Sequence, residues 1–255
     1  MSGINLKKIF APIDMTVGNP GKQIVAFAVP MLIGNIAQQL YNTADSVIVG
    51  RYVGDNALAA VGSAAPILNL LLVLFIGISV GAGIMVSQYF GAKQREDLSG
   101  TIGSCVTLTA ISSVIIMVIG PLVSGPLLEF LDTPETILGW CKSYLNIIFI
   151  GILGMAYYNI LGGVLRGLGD SVSALLYLLV ATVVNIVLDI LFVASFDMGV
   201  AGVALATAIA QALSAVLCFL KLLKMSDIFD FKKKYLKLHK KYARMTIRLG
   251  FPSGL

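Results

Sequence analysis

The sequence predicts an all-α integral membrane protein that crosses the bilayer six times. Its residues are 58% hydrophobic and only 12% charged, with a mean hydropathy of +0.92, whereas a soluble domain has about 25% charged residues. A run of ~20 apolar residues is long enough to cross the hydrocarbon core of a bilayer. Six runs reach that length, at residues 24–49, 58–89, 99–124, 140–163, 172–194 and 200–223.

These runs divide the chain into four parts. Residues 1–23 form an N-terminal segment without the apolar core of a signal peptide, and residues 24–223 form the six-helix transmembrane bundle. Residues 224–244 form a lysine-rich linker, and residues 245–255 begin a seventh helix. That last segment is too short to cross a bilayer, so we expect the chain to be the N-terminal part of a longer product.

The distribution of lysine and arginine predicts the orientation. With a cytoplasmic N-terminus, sixteen of the 18 basic residues fall on the cytoplasmic side and only Arg51 and Lys142 fall outside. Short loops rich in lysine and arginine stay in the cytoplasm. We therefore expect a multi-pass protein of the cell membrane, inner or plasma, with a cytoplasmic N-terminus.

The linker is open to two interpretations. Ile228, Phe231, Tyr235 and Leu238 recur at helical spacing among lysines, which is the pattern of an amphipathic helix lying on anionic headgroups. The alternative is a solvated connector whose lysines only enforce the orientation.

Polar residues form a stripe along the first run. Asn35, Gln38, Asn42 and Asp45 are spaced at i, i+3, i+7 and i+10, which places them on one helix face. Polar groups cannot face lipid, so the stripe faces either a hydrogen-bonded seam or a cavity that binds cargo. Pro30 interrupts the same run and permits the helix to bend.

Two further runs contribute polar pairs, each spaced at i, i+4 and therefore on one helix face. The fifth run carries Asn185 and Asp189, and the sixth carries Thr207 and Gln211. A carboxylate within the bilayer costs roughly 2.5 kcal/mol or more, so intramembrane acids indicate function.

Asp45, Asn185, Asp189 and Thr207 together offer the oxygen ligands that hard cations prefer. We predict that they bind Na⁺ or, since two adjacent carboxylates cannot both ionise cheaply, a proton. The polar groups Asn35, Gln38, Asn42 and Gln211 are predicted to line the cargo cavity.

The motifs that are absent narrow the function. The chain has no phosphate-binding loop and no hydrolase or metalloprotease motif, so we predict a protein that is not an enzyme, requires no cofactor beyond its coupling ion and binds no nucleic acid. No lysine or arginine lies deep within a predicted span, which favours cationic or neutral cargo.

Four motifs carry a resemblance to a known family. The segments 39–51, 58–62, 165–170 and 199–207 (QLYNTADSVIVGR, LAAVG, LRGLGD and GVAGVALAT) resemble those of the multidrug and toxic compound extrusion (MATE) transporters. The resemblance implies a twelve-helix fold of two six-helix bundles, of which this chain is the N-terminal one and lacks its C-terminal partner bundle. It also implies export of organic cations or drugs in exchange for Na⁺ or H⁺. Asp45, Asn185, Asp189 and Thr207 match the family's cation-binding positions, and Pro30 matches the proline at which the first helix is proposed to bend.

Two other functions remain open at this point. A lipid-linked oligosaccharide flippase of the same superfamily would require basic groups within the membrane for its polyanionic cargo. A membrane scaffold that transports nothing would leave the cost of burying Asp45 and Asp189 unexplained.

Overall fold

The computed structural model describes residues 19–254, so most of the predicted N-terminal segment 1–23 lies outside the described residues. Seven helices follow one another within that range. They are α1 Pro20–Tyr52, α2 Asp55–Gly91, α3 Arg95–Phe130, α4 Glu135–Gly167, α5 Ser171–Asp189, α6 Gly199–Leu223 and α7 Lys240–Gly254. A π-helical turn, Ile190–Ser195, continues α5.

The predicted all-α transmembrane bundle is confirmed. Each of the six predicted runs lies within one of the helices α1 to α6, with α5 extended by its π-helical turn, and these helices are long and apolar enough to cross a membrane. The predicted seventh helix begins at Lys240 and not at Met245, so the last residues of the predicted linker belong to this helix.

Helix α4 lies at the centre of the bundle and packs against α2, α3, α5 and α6. Small residues make its contact with α6 close. A Cβ atom on Gly151 would lie 2.5 Å from the Cβ of Ala208, and one on Gly154 would lie 2.8 Å from the Cα of Ala212. Close approach of this kind lets membrane helices associate through van der Waals packing.

Contacts of the N-cap residue Asp170 hold the N-terminus of helix α5 in place. Its N-cap Asp170 accepts a hydrogen bond from the Ser173 backbone N–H over 3.0 Å and pairs with Lys221 of α6 over 3.1 Å. The preceding Gly169 adopts a φ of 83°, which glycine tolerates without strain. We call the end of the bundle where Arg95, Arg166 and Lys221 lie the basic end.

The linker is a connector and not an amphipathic helix. Residues 225–239 form turns and their lysines are exposed, but Phe229 and Tyr235 are buried at 2% and 9% exposure. Ser99, Ser104 and Thr107 of α3 form hydrogen bonds with the linker backbone. These bonds satisfy backbone groups that a helix would have satisfied internally, and they hold the linker against the bundle.

One ion pair strengthens this contact. Arg95 of α3 donates hydrogen bonds to the carbonyl oxygens of Ser226 and Asp227 and pairs with the Asp230 carboxylate over 3.1 Å. The hydrogen bond from Arg95 holds the pKa of Asp230 below its usual range. The carboxylate therefore stays charged, and the pair intact, at neutral pH.

Helix α7 packs along α2 through facing glycines. A Cβ atom on Gly81 would lie 2.1 Å from the Thr246 carbonyl oxygen, and one on Gly250 would lie 2.0 Å from that of Gly77. The Gly77 and Gly81 pair therefore serves helix packing, as its spacing of four residues indicates.

Candidate cation site and cargo cavity

Three helices bring the four predicted cation-binding residues together. Asp45 comes from α1, Asn185 and Asp189 from α5, and Thr207 from α6. The Asn185 side-chain amide, turned so that its nitrogen faces the acids, donates to Asp45 Oδ1 over 2.7 Å and to Asp189 Oδ2 over 3.2 Å. Thr207 donates to Asp45 Oδ2 over 3.5 Å, and the two carboxyl groups lie within hydrogen-bonding range of each other.

This cluster is buried and short of positive charge. Asn185 and Asp189 are both 0% exposed, while Asp45 is half-buried. Among residues 19–254 no lysine or arginine forms an ion pair with either acid, and Asp189 Oδ1 has no hydrogen-bond donor. A buried carboxylate needs a partner, and a bound Na⁺ or proton would supply it.

The Asn185 amide has two possible orientations. The sequence prediction gives its oxygen to the cation, and that stays a prediction, whereas hydrogen bonding with the two acids favours the orientation in which its nitrogen faces both carboxyl groups. In this orientation the amide holds the two acids together by hydrogen bonds. Coordination of Na⁺ by the amide oxygen would require the side chain to turn over.

The site opens onto a cavity of about 610 Å³ within the bundle. Asp45 and Thr207 form part of its wall. The other predicted cargo-contacting residues line the same cavity, together with the proline of α1: Asn35, Gln38, Asn42, Gln211 and Pro30. The stripe on α1 thus faces a cavity and not a closed helical seam. Helix α1 runs without interruption through Pro30, so the bend stays a prediction.

Sequence reasoning missed several residues of the cavity. Tyr41 and Tyr144 line it beside the carboxyl pair and are buried at 4% and 7% exposure. Arg166 also lines the cavity, although its position near the end of a run indicated a loop residue. The spacing of Asn159 and Arg166, i and i+7, was the available signal, because it places both on the same face of α4.

Arg166 corrects the expectation that the interior lacks basic groups. Its guanidinium points towards Ser79 of α2, 3.5 Å from the hydroxyl oxygen, and reaches the cavity from the basic end. The polarity of the cavity is therefore mixed, with the Asp45 carboxyl group from α1 and the Arg166 guanidinium from α4.

No group of three or more histidine, cysteine or acidic side chains is placed to hold a metal ion in residues 19–254. Two carboxyl groups, one amide and one hydroxyl make up the candidate cation site, a set suited to a hard monovalent cation or a proton.

Comparisons with known proteins agree on one family. A family model described as MatE matches residues 30–191. The chain is 33% identical over 236 residues to the probable multidrug resistance protein YoeA of Bacillus subtilis (strain 168), and the match covers 90% of this chain and 51% of that relative. The chain therefore spans about half the length of the curated relatives it matches.

Solved structures in two conformations share the fold. The outward-facing conformation of a multidrug resistance MATE family transporter of the MOP superfamily matches with a TM-score of 0.86 and 27% identity, over 93% of this chain and 52% of that one. An inward-facing conformation of such a transporter matches with a TM-score of 0.80 and 25% identity, over 89% of this chain and 53% of that one.

Proposed function

This chain belongs to the MatE family of transporters, and we propose that it is the N-terminal bundle of a secondary active exporter. The exporter would carry organic cations or drugs out of the cell in exchange for Na⁺ or H⁺, by alternating access. Its relative YoeA is named as a probable multidrug resistance protein, and the similar structures have outward-facing and inward-facing conformations. These names support export of drugs by the whole protein.

One observation supports the proposal most strongly: Asn185 joins two carboxyl groups inside a membrane bundle, and one of them, that of Asp45, lines the cavity. Neither acid has a basic partner among the described residues. Burying such a pair costs free energy that helix packing alone would not require. Cation exchange accounts for this cost, because a bound cation supplies the positive charge that the two carboxyl groups lack.

Helix α1 links cation binding to cargo binding. It carries Asp45 in the cation site and, on the same face, the cavity-lining side chains of Asn42, Gln38 and Asn35. A shift of α1 on binding a cation would therefore change the wall that cargo contacts. Pro30 lacks a backbone N–H and weakens the helix at that point, which makes it the proposed position of the shift.

The flippase alternative is less well supported. The curated relative described above is named for multidrug resistance. The cavity holds Arg166, but a polyanionic lipid-linked sugar would call for a basic cluster and not a single guanidinium.

The test is gradient-driven transport by the full-length protein in proteoliposomes. A fluorescent organic cation should move against its gradient when an opposing Na⁺ or pH gradient is imposed. An ionophore that collapses the driving gradient should stop the movement. Equal transport with and without either gradient would contradict the proposal.

A further inference from the structure

Arg166 lies at the wall of the cavity without a matching negative charge. No carboxylate within residues 19–254 forms an ion pair with it. The nearby Asp170 pairs with Lys221 over 3.1 Å, so those two charges cancel. The polar contact of the Arg166 side chain is the hydroxyl of Ser79, at 3.5 Å, which is a weak hydrogen bond. A net positive charge therefore faces the cavity at the basic end.

An independent observation points to a ligand at the same end. Ser171, the first residue of α5, lines the cavity and is only 3% exposed. Its Oγ has no hydrogen-bond partner among the described residues. Buried hydroxyls normally form hydrogen bonds, and this one can donate to an anionic group that enters the cavity.

The part of the cavity at the basic end, where Arg166 and Ser171 lie, is distinct from the cation site. Ser171 and Asn185 lie in the same helix and are separated by fourteen residues, about 21 Å at 1.5 Å per residue. A drug-sized molecule that contacts Arg166 therefore does not also contact the carboxyl pair. Cargo and coupling ion can occupy separate parts of the bundle at the same time.

We propose that Arg166 and Ser171 form the subsite that binds the carboxylate of cargo. The guanidinium fork matches the two oxygens of a carboxylate, and the Ser171 hydroxyl donates a third hydrogen bond. The remaining wall of apolar side chains and amides contacts the body of the molecule. This inference rests on the proposed function, since it assigns two residues of the same cavity to the binding of cargo.

The experiment compares two dyes that differ only in whether their carboxylate is free or esterified. Tetramethylrhodamine carries a free carboxylate and a delocalised cation, whereas its methyl ester is a cation alone. The full-length transporter is reconstituted in phosphatidylcholine, so that no anionic headgroup competes for the site, and the half-saturating concentration is measured for each dye.

Arg166→Gln should raise the half-saturating concentration of the acid by about ten-fold or more, because a charge-assisted pair is lost. The ester should change by less than about two-fold. Arg166→Lys should give an intermediate loss, since it keeps the charge but not the fork, and Ser171→Ala a loss of about three-fold. Arg51→Gln, which removes an exposed arginine at the end of α1, is the matched control and should alter neither dye.

Equal losses for acid and ester, or no loss for either, would overturn the subsite. If Arg166→Gln does not reach the membrane, Arg166→Lys and Ser171→Ala decide by the same comparison. A wild-type protein that transports the ester and rejects the acid contradicts this inference alone. Transport of neither dye contradicts the proposed function as well.

Discussion

The Asn185 amide contacts two acids that belong to different helices. The lengths of its hydrogen bonds, compared with that of Thr207, indicate how strongly each residue contributes to the candidate cation site. Its amide donates over 2.7 Å to Asp45 and 3.2 Å to Asp189, whereas Thr207 reaches Asp45 only over 3.5 Å. A hydrogen bond to a charged group contributes about 1.5–3 kcal/mol, and bonds weaken steeply as they lengthen. The Asn185 amide should therefore contribute more to cation-driven transport than the Thr207 hydroxyl.

We predict that Asn185→Ala lowers cation-driven transport by about ten-fold, since one good charged hydrogen bond corresponds to that factor. Thr207→Val should lower it by less than about three-fold. Both are measured as initial rates in proteoliposomes at a cation concentration below saturation, normalised to inserted protein. A larger effect of Thr207→Val than of Asn185→Ala would show that the amide does not hold the pair.

The residues of this site could be predicted from the sequence, but their geometry could not. An acid and an amide spaced at i, i+4 inside an apolar run indicate a functional pair whatever their neighbours. The direction in which the Asn185 amide turns depends on Asp45, which is 140 residues away in sequence. Arg166 was misjudged for a similar reason, because distance from a helix end does not reveal which way a side chain points.

At the scale of elements, the linker shows how polar side chains inside an apolar run can be overlooked. Ser99, Ser104 and Thr107 lie in the third run, where small polar residues are expected to bond only within their own helix. In the structure all three bond with the linker, and Gly103 leaves space for it: a Cβ there would lie 2.1 Å from the Tyr235 carbonyl oxygen. The periodicity of the linker alone could not predict this contact.

We predict that Gly103→Ala releases the linker from α3, because the added methyl group and the Tyr235 carbonyl cannot occupy the same space. Trypsin should then cleave at the exposed linker lysines, among them Lys232 and Lys234, several-fold faster (about five-fold or more), since cleavage follows the population of the opened segment. The measurement is the rate of loss of intact protein in inside-out vesicles.

The control is Gly139→Ala in α4, where a Cβ would meet nothing within 4 Å. Its cleavage rate should equal that of the wild type. Equal rates for Gly103→Ala and Gly139→Ala would contradict the close contact between linker and α3.

At the scale of the whole molecule, apolar run length predicted the bundle almost completely. Each apolar run forms a helix because a helix satisfies its own backbone hydrogen bonds in lipid. How α4 comes to lie at the centre could not be derived from hydropathy, since lipid is as apolar as a helix surface. That arrangement depends on particular glycines and alanines, such as Gly154 facing Ala212.

We predict that the basic end of the bundle faces the cytoplasm. A cysteine introduced at Lys234 should react with a membrane-impermeant reagent from the cytoplasmic side, and one introduced at Thr133 only from outside, because lysine and arginine are retained on the cytoplasmic side. The native cysteines Cys105, Cys141 and Cys218 are buried and should contribute little labelling. Labelling of a Thr133→Cys protein only from the cytoplasmic side would invert the orientation.

We propose that Asp189 acts as a cation ligand and not as a structural residue. Asp189→Asn keeps the size of the side chain and one oxygen but removes its charge and its exchangeable proton. It should insert at normal or higher abundance, because burying an amide costs less than burying a carboxylate. Its transport should no longer be driven by the ion gradient.

The deciding measurement is gradient-driven efflux per inserted molecule, for full-length protein in proteoliposomes. Asp132→Asn makes the same chemical change at an exposed position whose φ of 51° asparagine tolerates, and it should behave as the wild type. We predict that Asp189→Asn inserts normally and loses ion-driven efflux. Wild-type coupling in that protein, or poor insertion with coupling retained in the molecules that do insert, would contradict the cation site.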